Sequence, residues 1–164
     1  MQVRVAGEAE AEEIEALLGR CYPVLMAPAH APQVLARALP MMTRANRGLL
    51  ASDTYYAAVE NGRITGCGGW TLTQPGSGVQ EPGLAHIRHF ATDPGCCGRG
   101  IGRALFERCR AEAAKTGAVR LQVLSSLNAE PFYARMGMAR IETVSLPLGG
   151  GGFPAVPMEM PLGR

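Results

Sequence analysis

Four glycines, Gly95, Gly98, Gly100 and Gly102, fall within eight residues of the stretch "DPGCCGRGIGRAL", immediately ahead of a run with helical spacing. A glycine turn that opens a helix is suited to one task. The first-turn N–H groups lack an intrahelical acceptor, carry about half a positive charge together, and receive an anion where no side chain blocks the approach. Three readings compete. A nucleotide P-loop needs Lys and Ser or Thr directly after its last glycine, whereas Gly102 is followed by Arg103 and Ala104, which excludes it. A dinucleotide fingerprint needs G-x-G-x-x-G, and "GRGIGR" offers G-x-G-x-G without a repeated βαβ order, so the fit is poor. A tight turn with no ligand is the third.

Thiols and carboxylates come next. Cys21, Cys67, Cys96, Cys97 and Cys109 are odd in number, with no CxxC pair and no metal-ligand spacing. Reduced thiols packed as small apolar residues are expected, and no metal site. Cys96 and Cys97 lie inside the glycine turn and open a redox-sensing alternative. Glu8, Glu10, Glu12 and Glu13 fall in the opening turns of a helical segment, where carboxylates oppose the positive end of the helix dipole, and read as a solvated face.

The elements that must position these residues follow from periodicity. Residues 3–7 alternate as a short strand, and Ile14, Leu17, Leu18 and Cys21 recur at helical spacing. Pro23 is expected to end that helix, and Pro40 to kink or split the next, over residues 33–46. "TYYAAVENGRITGCGGWTL" reads as a hairpin turning at Asn61 and Gly62, a pair suited to positive φ. Leu84–Thr92 reads as a strand, residues 100–115 as a helix, 119–126 as a strand, 129–137 as a short helix and 138–148 as a strand. "GGGGFP" reads as a mobile loop, and "AVPMEMPL" as an edge strand on account of Pro157 and Pro161. The predicted order is β α α β β β α β α β β.

"ATDPGCCGRGIGRALFERCRAEAAKTGAVRLQVL" resembles the acetyl-CoA-binding segment of the GCN5-related N-acetyltransferases, whose pattern is Q/R-x-x-G-x-G/A between a strand and a long helix. "AEPFYARMGMARI" resembles the later A-x-x-x-Y-x-x-x-G-F segment of that family. The resemblance spans the chain as one domain, residues 1–164. It implies an α/β (α+β) fold, with a mixed, mostly antiparallel twisted sheet of about seven strands flanked by helices. Implied too is a cradle for the pyrophosphate of acetyl-CoA, from the main chain of Cys97, Gly98, Arg99, Gly100, Ile101 and Gly102 with Arg103. Cys97 stands where the family has Gln or Arg. The strand before the turn is expected to splay from its neighbour and admit the pantetheine arm. Phe90 would direct an N–H at the thioester carbonyl, and Ala91 and Thr92 would offer main chain to pantetheine. Ser126, which replaces the usual Asn, would complete the coenzyme site with Ala129, Phe132 and Tyr133.

Acetyl transfer to nitrogen needs a neutral amine, and an amine with pKa about 10.4 is unprotonated to only roughly four parts in ten thousand at pH 7. The family position for the proton acceptor matches His86, acting directly or through water, with a hydrogen-bonded structural histidine as the alternative. Strict strand alternation would put His86, Arg88, Phe90 and Thr92 on one face and His89 on the other. Arg88 would hold an anionic substrate group, and Glu81 is the reserve base. Tyr133 matches the residue that returns a proton to the departing thiolate; a packed aromatic beside Phe132 is its alternative. The acceptor cleft is expected to include Tyr22, Met26, Met41 and Met42.

Composition narrows the classes further. The chain has 164 residues, 47% hydrophobic and 18% charged, with net charge +2, one Trp, four Tyr and four Phe. A nucleic-acid binder would carry a basic stripe with interleaved aromatics, and none is seen. No apolar run reaches the ~18 residues of a membrane span, and no secretory signal opens the chain, so a cytoplasmic location is expected. The partners expected are a small-molecule or peptide amine and, through pairing of residues 156–162, a second copy in a homodimer. A non-catalytic acyl-CoA-binding module is the alternative to an enzyme.

Overall fold

The computed structural model describes residues 1–163. The chain begins with β1 (Gln2–Val5), α1 (Ala11–Met26), α2 (Pro32–Met42) and a single turn, α3 (Arg47–Leu50). It continues through β2 (Tyr55–Glu60), β3 (Arg63–Thr71), β4 (Leu84–Thr92), α4 (Ile101–Lys115), β5 (Arg120–Ser126) and α5 (Glu130–Arg135). It closes with β6 (Ala139–Arg140), β7 (Val144–Leu148) and β8 (Gly151–Pro161). All eight strands join one sheet in the order β1-β2-β3-β4-β5-β8-β6, with β7 also on β8. Among the described residues only the β4–β5 pair is parallel.

Each face of the sheet carries its own apolar cluster. On one, Ile101, Leu105, Phe106, Cys109 and Ala113 of α4 pack against Tyr56, Ala85, Ile87 and Leu121. On the other, Ile14, Leu17, Leu18 and Cys21 of α1 pack against Tyr55, Ala57, Ile64, Cys67 and Ala91. These are the residues whose 3.6-residue and two-residue periods the sequence displays.

The hairpin of β2 and β3 turns at Asn61 (φ 51°) and Gly62 (φ 74°), as the type I′ geometry requires. Pro23 departs from expectation, and α2 is not split at Pro40. Pro23 lies inside α1, which runs on to a fully buried Met26, and Pro40 lies inside α2. Packing of Cys21 and Met26 on either side of Pro23 outweighs the one intrahelical bond that the ring removes.

The C-terminal region also differs. The stretch expected as one strand over residues 138–148 is broken into β6 and β7. The "GGGG" segment is ordered as a two-residue hairpin turn at Gly149 (φ 62°) and Gly150 (φ 80°), which feeds directly into β8. β8 is interior: Ala155 to Pro161 pair with β5, while β7 and β6 cover its other side. A dimer built by adding a strand at residues 156–162 is therefore blocked. The prolines are tolerated because each loses only a donor; the Pro157 carbonyl still accepts from Ile141 N–H at 2.9 Å.

Candidate active site

Two irregularities create the site. The first is the parting of β4 from β5, which pair only at Leu84↔Arg120, Ala85↔Leu121 and His86↔Gln122. Beyond His86, residues 87–92 have no β5 partner, and a cleft of about 760 Å³ opens between them and residues 123–126.

The second is a bulge. Gly69 pairs with Arg88 and Cys67 with Ala91, so Gly68 alone faces both His89 and Phe90. His89 takes φ 53°, a left-handed conformation uncommon for a residue with a side chain. Three hydrogen bonds hold it there. Tyr55 Oη donates to the His89 carbonyl at 2.8 Å, Tyr22 Oη donates to the Phe90 carbonyl at 2.8 Å, and the His89 ring meets the Met42 carbonyl at 2.8 Å. A side chain at position 68 would collide with the Phe90 ring, so only glycine permits that ring to lie across β3.

The extra residue reverses the facing expected from strict alternation. Ala85, Ile87 and Phe90 lie on the α4 side, whereas His89 contacts Tyr22 of α1 and Met42 of α2. His86 and Arg88 therefore do not share a face with Phe90. His86 is only 5% exposed and is absent from the cleft lining, while His89 lines it. Arg88 donates to Thr71 Oγ1 at 3.0 Å and lines a separate cavity of about 400 Å³ with Met41, Arg44, Asn46, Leu49 and the other side of His89. Met41 belongs there too, not to the main cleft. Glu81 is paired with Arg120 at 2.8 Å, away from both cavities.

The glycine turn is built as the sequence suggested. Asp93, 7% exposed, accepts from Gly95 N–H at 3.0 Å, Arg63 at 2.9 Å and Arg20 at 3.2 Å. The Gly95 amide, with Arg20 and Arg63 beside it, holds the Asp93 carboxyl below the usual carboxylate range. Gly98 (φ 79°) and Gly100 (φ 83°) turn through the left-handed region, and Gly100 caps α4. The first amide to find a helical acceptor is Ala104, bonded to the Gly100 carbonyl at 3.0 Å. The amides of residues 98–103 have no protein acceptor among the described residues. Cys96, Cys97, Gly98, Gly100, Ile101, Gly102 and Arg103 line the cleft. Arg99 does not; it pairs with Glu60 at 2.6 Å. Cys97 is exposed overall; partial desolvation of its sulfur, with Cys96 and Asp93 nearby, pushes its thiol pKa up. Cys21, Cys67 and Cys109 are buried and free.

The far wall carries Ser126, Asn128, Ala129, Phe132, Tyr133 and Arg135. Tyr133, 4% exposed, sits among Phe90, Phe106 and Phe132 at centroid distances of 6.2, 6.3 and 5.0 Å. Burial raises its phenol pKa well above the ordinary value, so the hydroxyl keeps its proton. Gly102 lacks a side chain because Phe132 occupies that space, with its Cε1 2.8 Å from where a Cβ would stand.

Sequence reasoning missed His89, Arg135 and Asn128 as cleft residues. The Met42 carbonyl can only accept, so His89 Nε2 carries the ring proton and Nδ1 keeps the lone pair. Burial, with Arg88 adding, lowers the His89 pKa against the opposing pull of the Met42 carbonyl, leaving the ring neutral at pH 7. The Asn128 Oδ1 atom is buried beside the His30 ring but makes no hydrogen bond of good geometry with it, leaving acceptor capacity for an N–H of a bound molecule.

A mostly antiparallel sheet whose single parallel pair parts beside an amide-lined turn defines the GNAT fold. The chain belongs to the GNAT acetyltransferase domain family, whose model matches residues 27–162. Among solved structures it is similar to a GCN5-related N-acetyltransferase from Rhodopseudomonas palustris. That match has TM-score 0.78 and 19% identity over 98% of this chain and 95% of that one. It is similar also to the PaiA N-acetyltransferase from Thermoplasma acidophilum in complex with coenzyme A, with TM-score 0.72 and 12% identity over 98% of each chain. A GCN5-related N-acetyltransferase from Kribbella flavida matches with TM-score 0.63 and 23% identity, over 98% of this chain and 97% of that one. No curated protein sequence matches the chain. No helix among the described residues is long and apolar enough to cross a membrane.

Proposed function

We propose that the protein is an N-acetyltransferase that moves an acetyl group from acetyl-CoA directly to a primary amine. The observation that carries this reading is the continuity of one cleft. It runs from the unbonded amides at the start of α4, along the parted edge of β4, to a neutral imidazole and a protonated phenol.

The residues present fit the coenzyme. Amides at residues 98–103, with Arg103 and Arg135, suit a diphosphate, and neither arginine meets a carboxylate among the described residues. The unpaired edge of β4 and the spare acceptor capacity of the Asn128 oxygen suit the amides of an extended pantetheine. When bound, acetyl-CoA supplies an activated thioester and a thiolate leaving group. His89 Nδ1 takes the proton from the amine, replacing His86 in the role expected from sequence. The Phe90 main chain, fixed by Tyr22, borders the place where the thioester oxygen would lie. Tyr133 Oη holds the proton that the departing sulfur requires.

Calorimetry with CoA and a thiol-release assay with acetyl-CoA and a panel of primary amines test the proposal. One CoA per chain, with thiol release that depends on the amine, is expected. CoA binding without release for any amine would favour the non-catalytic module, and no binding at all would end the coenzyme reading.

A further inference from the structure

Resting on that acetyl-transfer reading, we propose that the acceptor is a monoamine with a bulky apolar substituent, seated between α1, α2 and the hairpin of β7 and β8. At the end of the cleft away from the glycine turn the lining is Leu25, Met26, Met42, Leu146, Leu148 and Phe153. These side chains come from four elements; Met26, Met42, Leu146, Leu148 and Phe153 belong to a cluster separate from the two that cover the sheet, and Leu25 packs on the cluster of the α1 face. Met26 and Phe153 are buried, and the Phe153 ring is stacked on His30, 4.9 Å between centroids and 12° from parallel, so one wall is fixed. Leu25, Met42, Leu146 and Leu148 are half-buried and leave apolar surface facing the cavity. A methionine there adapts its shape to what it covers.

Charge points the same way. No Asp or Glu is among the described residues that line the cleft, and its only charged side chains are Arg103 and Arg135. An amine that gives its proton to His89 enters the reaction neutral. A second ammonium elsewhere on the same molecule would be buried without a counter-charge, which is strongly unfavourable. Polyamines and lysine-like diamines are thereby disfavoured, and an aryl or branched alkyl group is favoured.

The test uses the protein saturated with CoA and titrates phenethylamine, ethylamine and spermidine by calorimetry, with acetyl-CoA turnover of the same amines measured in parallel. Phenethylamine is expected to bind about 10–100-fold more tightly than ethylamine, the gain from burying one aromatic ring, and to outbind spermidine. Leu146→Glu should weaken phenethylamine by at least about tenfold and improve spermidine, with CoA affinity unchanged; Leu148→Ser is the second variant should the first not fold. Ethylamine or spermidine binding as well as phenethylamine would overturn the inference, as would variants that leave the order untouched. Selective binding of phenethylamine without acetyl transfer would retain the apolar amine site and remove the acetyltransferase reading. Transfer to all three amines with no preference would do the reverse.

Discussion

His89 and Met42 are joined by a 2.8 Å hydrogen bond from the imidazole Nε2 to a main-chain carbonyl, which fixes the tautomer and leaves the lone pair on Nδ1. His89→Gln should therefore lower kcat by about 10²–10⁴-fold, the usual range for loss of a general base, with CoA affinity near that of the parent. Because burial depresses the pKa, the rise of kcat with pH at saturating amine should have its midpoint below the ordinary histidine value of 6.5. A midpoint above that value, or full activity in the variant, would remove His89 from the reaction.

Tyr133→Phe tests the other proton. The phenol is surrounded by aromatic rings and its pKa is raised, so it stays protonated through the working range and its loss should slow turnover by about 10²–10⁴-fold. The packing is kept in the variant, so melting temperature and CoA affinity should barely move. Stopped-flow thiol release reads this directly.

Gly68→Ala addresses the bulge. The added methyl meets the Phe90 ring, which must rotate toward the parted strands. A stability loss of about 1–3 kcal/mol is expected from overpacking, together with a weaker coenzyme heat in calorimetry. Unchanged coenzyme affinity would show that the Phe90 ring does not border the bound arm.

Asp93→Ala removes the carboxylate that the Gly95 amide, Arg20 and Arg63 share. Loss of this cap and ion pair should cost about 1–3 kcal/mol and loosen the glycine turn. The folded-state pKa of Asp93 lies below its ordinary 3.8, so its contribution is fully present above that value and is lost as pH falls through the depressed one. Acid unfolding of the variant should accordingly be less steep than that of the parent in this range.

Much of this architecture is legible in the residues themselves. Leu84–Thr92 is a strand with the bounds its composition suggests, Asn61 and Gly62 turn as their φ preference requires, and the glycines precede α4 as a helix-opening turn. Placement of Tyr22, Met26, Cys97, Arg103, Ser126 and Tyr133 around one cleft was likewise expected. What could not be read was where alternation fails. One inserted residue at His89 exchanges the faces on either side of it, and no residue type announces that; Gly68 opposite was the only local signal, in a "CGGW" run already rich in glycine. Pro157 and Pro161 pointed to an edge, yet β8 is covered on both sides because a proline forfeits one donor and keeps its acceptor. Arg99 faces Glu60, a partner 39 residues away along the chain that spacing around the turn cannot reveal.

At Gly149 the hairpin between β7 and β8 comes so close to the Arg37 carbonyl of α2 that no Cβ fits between them. Leu146, Leu148 and Phe153, which border the proposed amine chamber, ride on this hairpin, so their wall is anchored to α2 through main chain, which cannot swing aside as rotamers do. Homologous amines that lengthen one methylene at a time should therefore gain affinity in steady increments and then fail abruptly, the scaffold acting as a ruler with a hard stop.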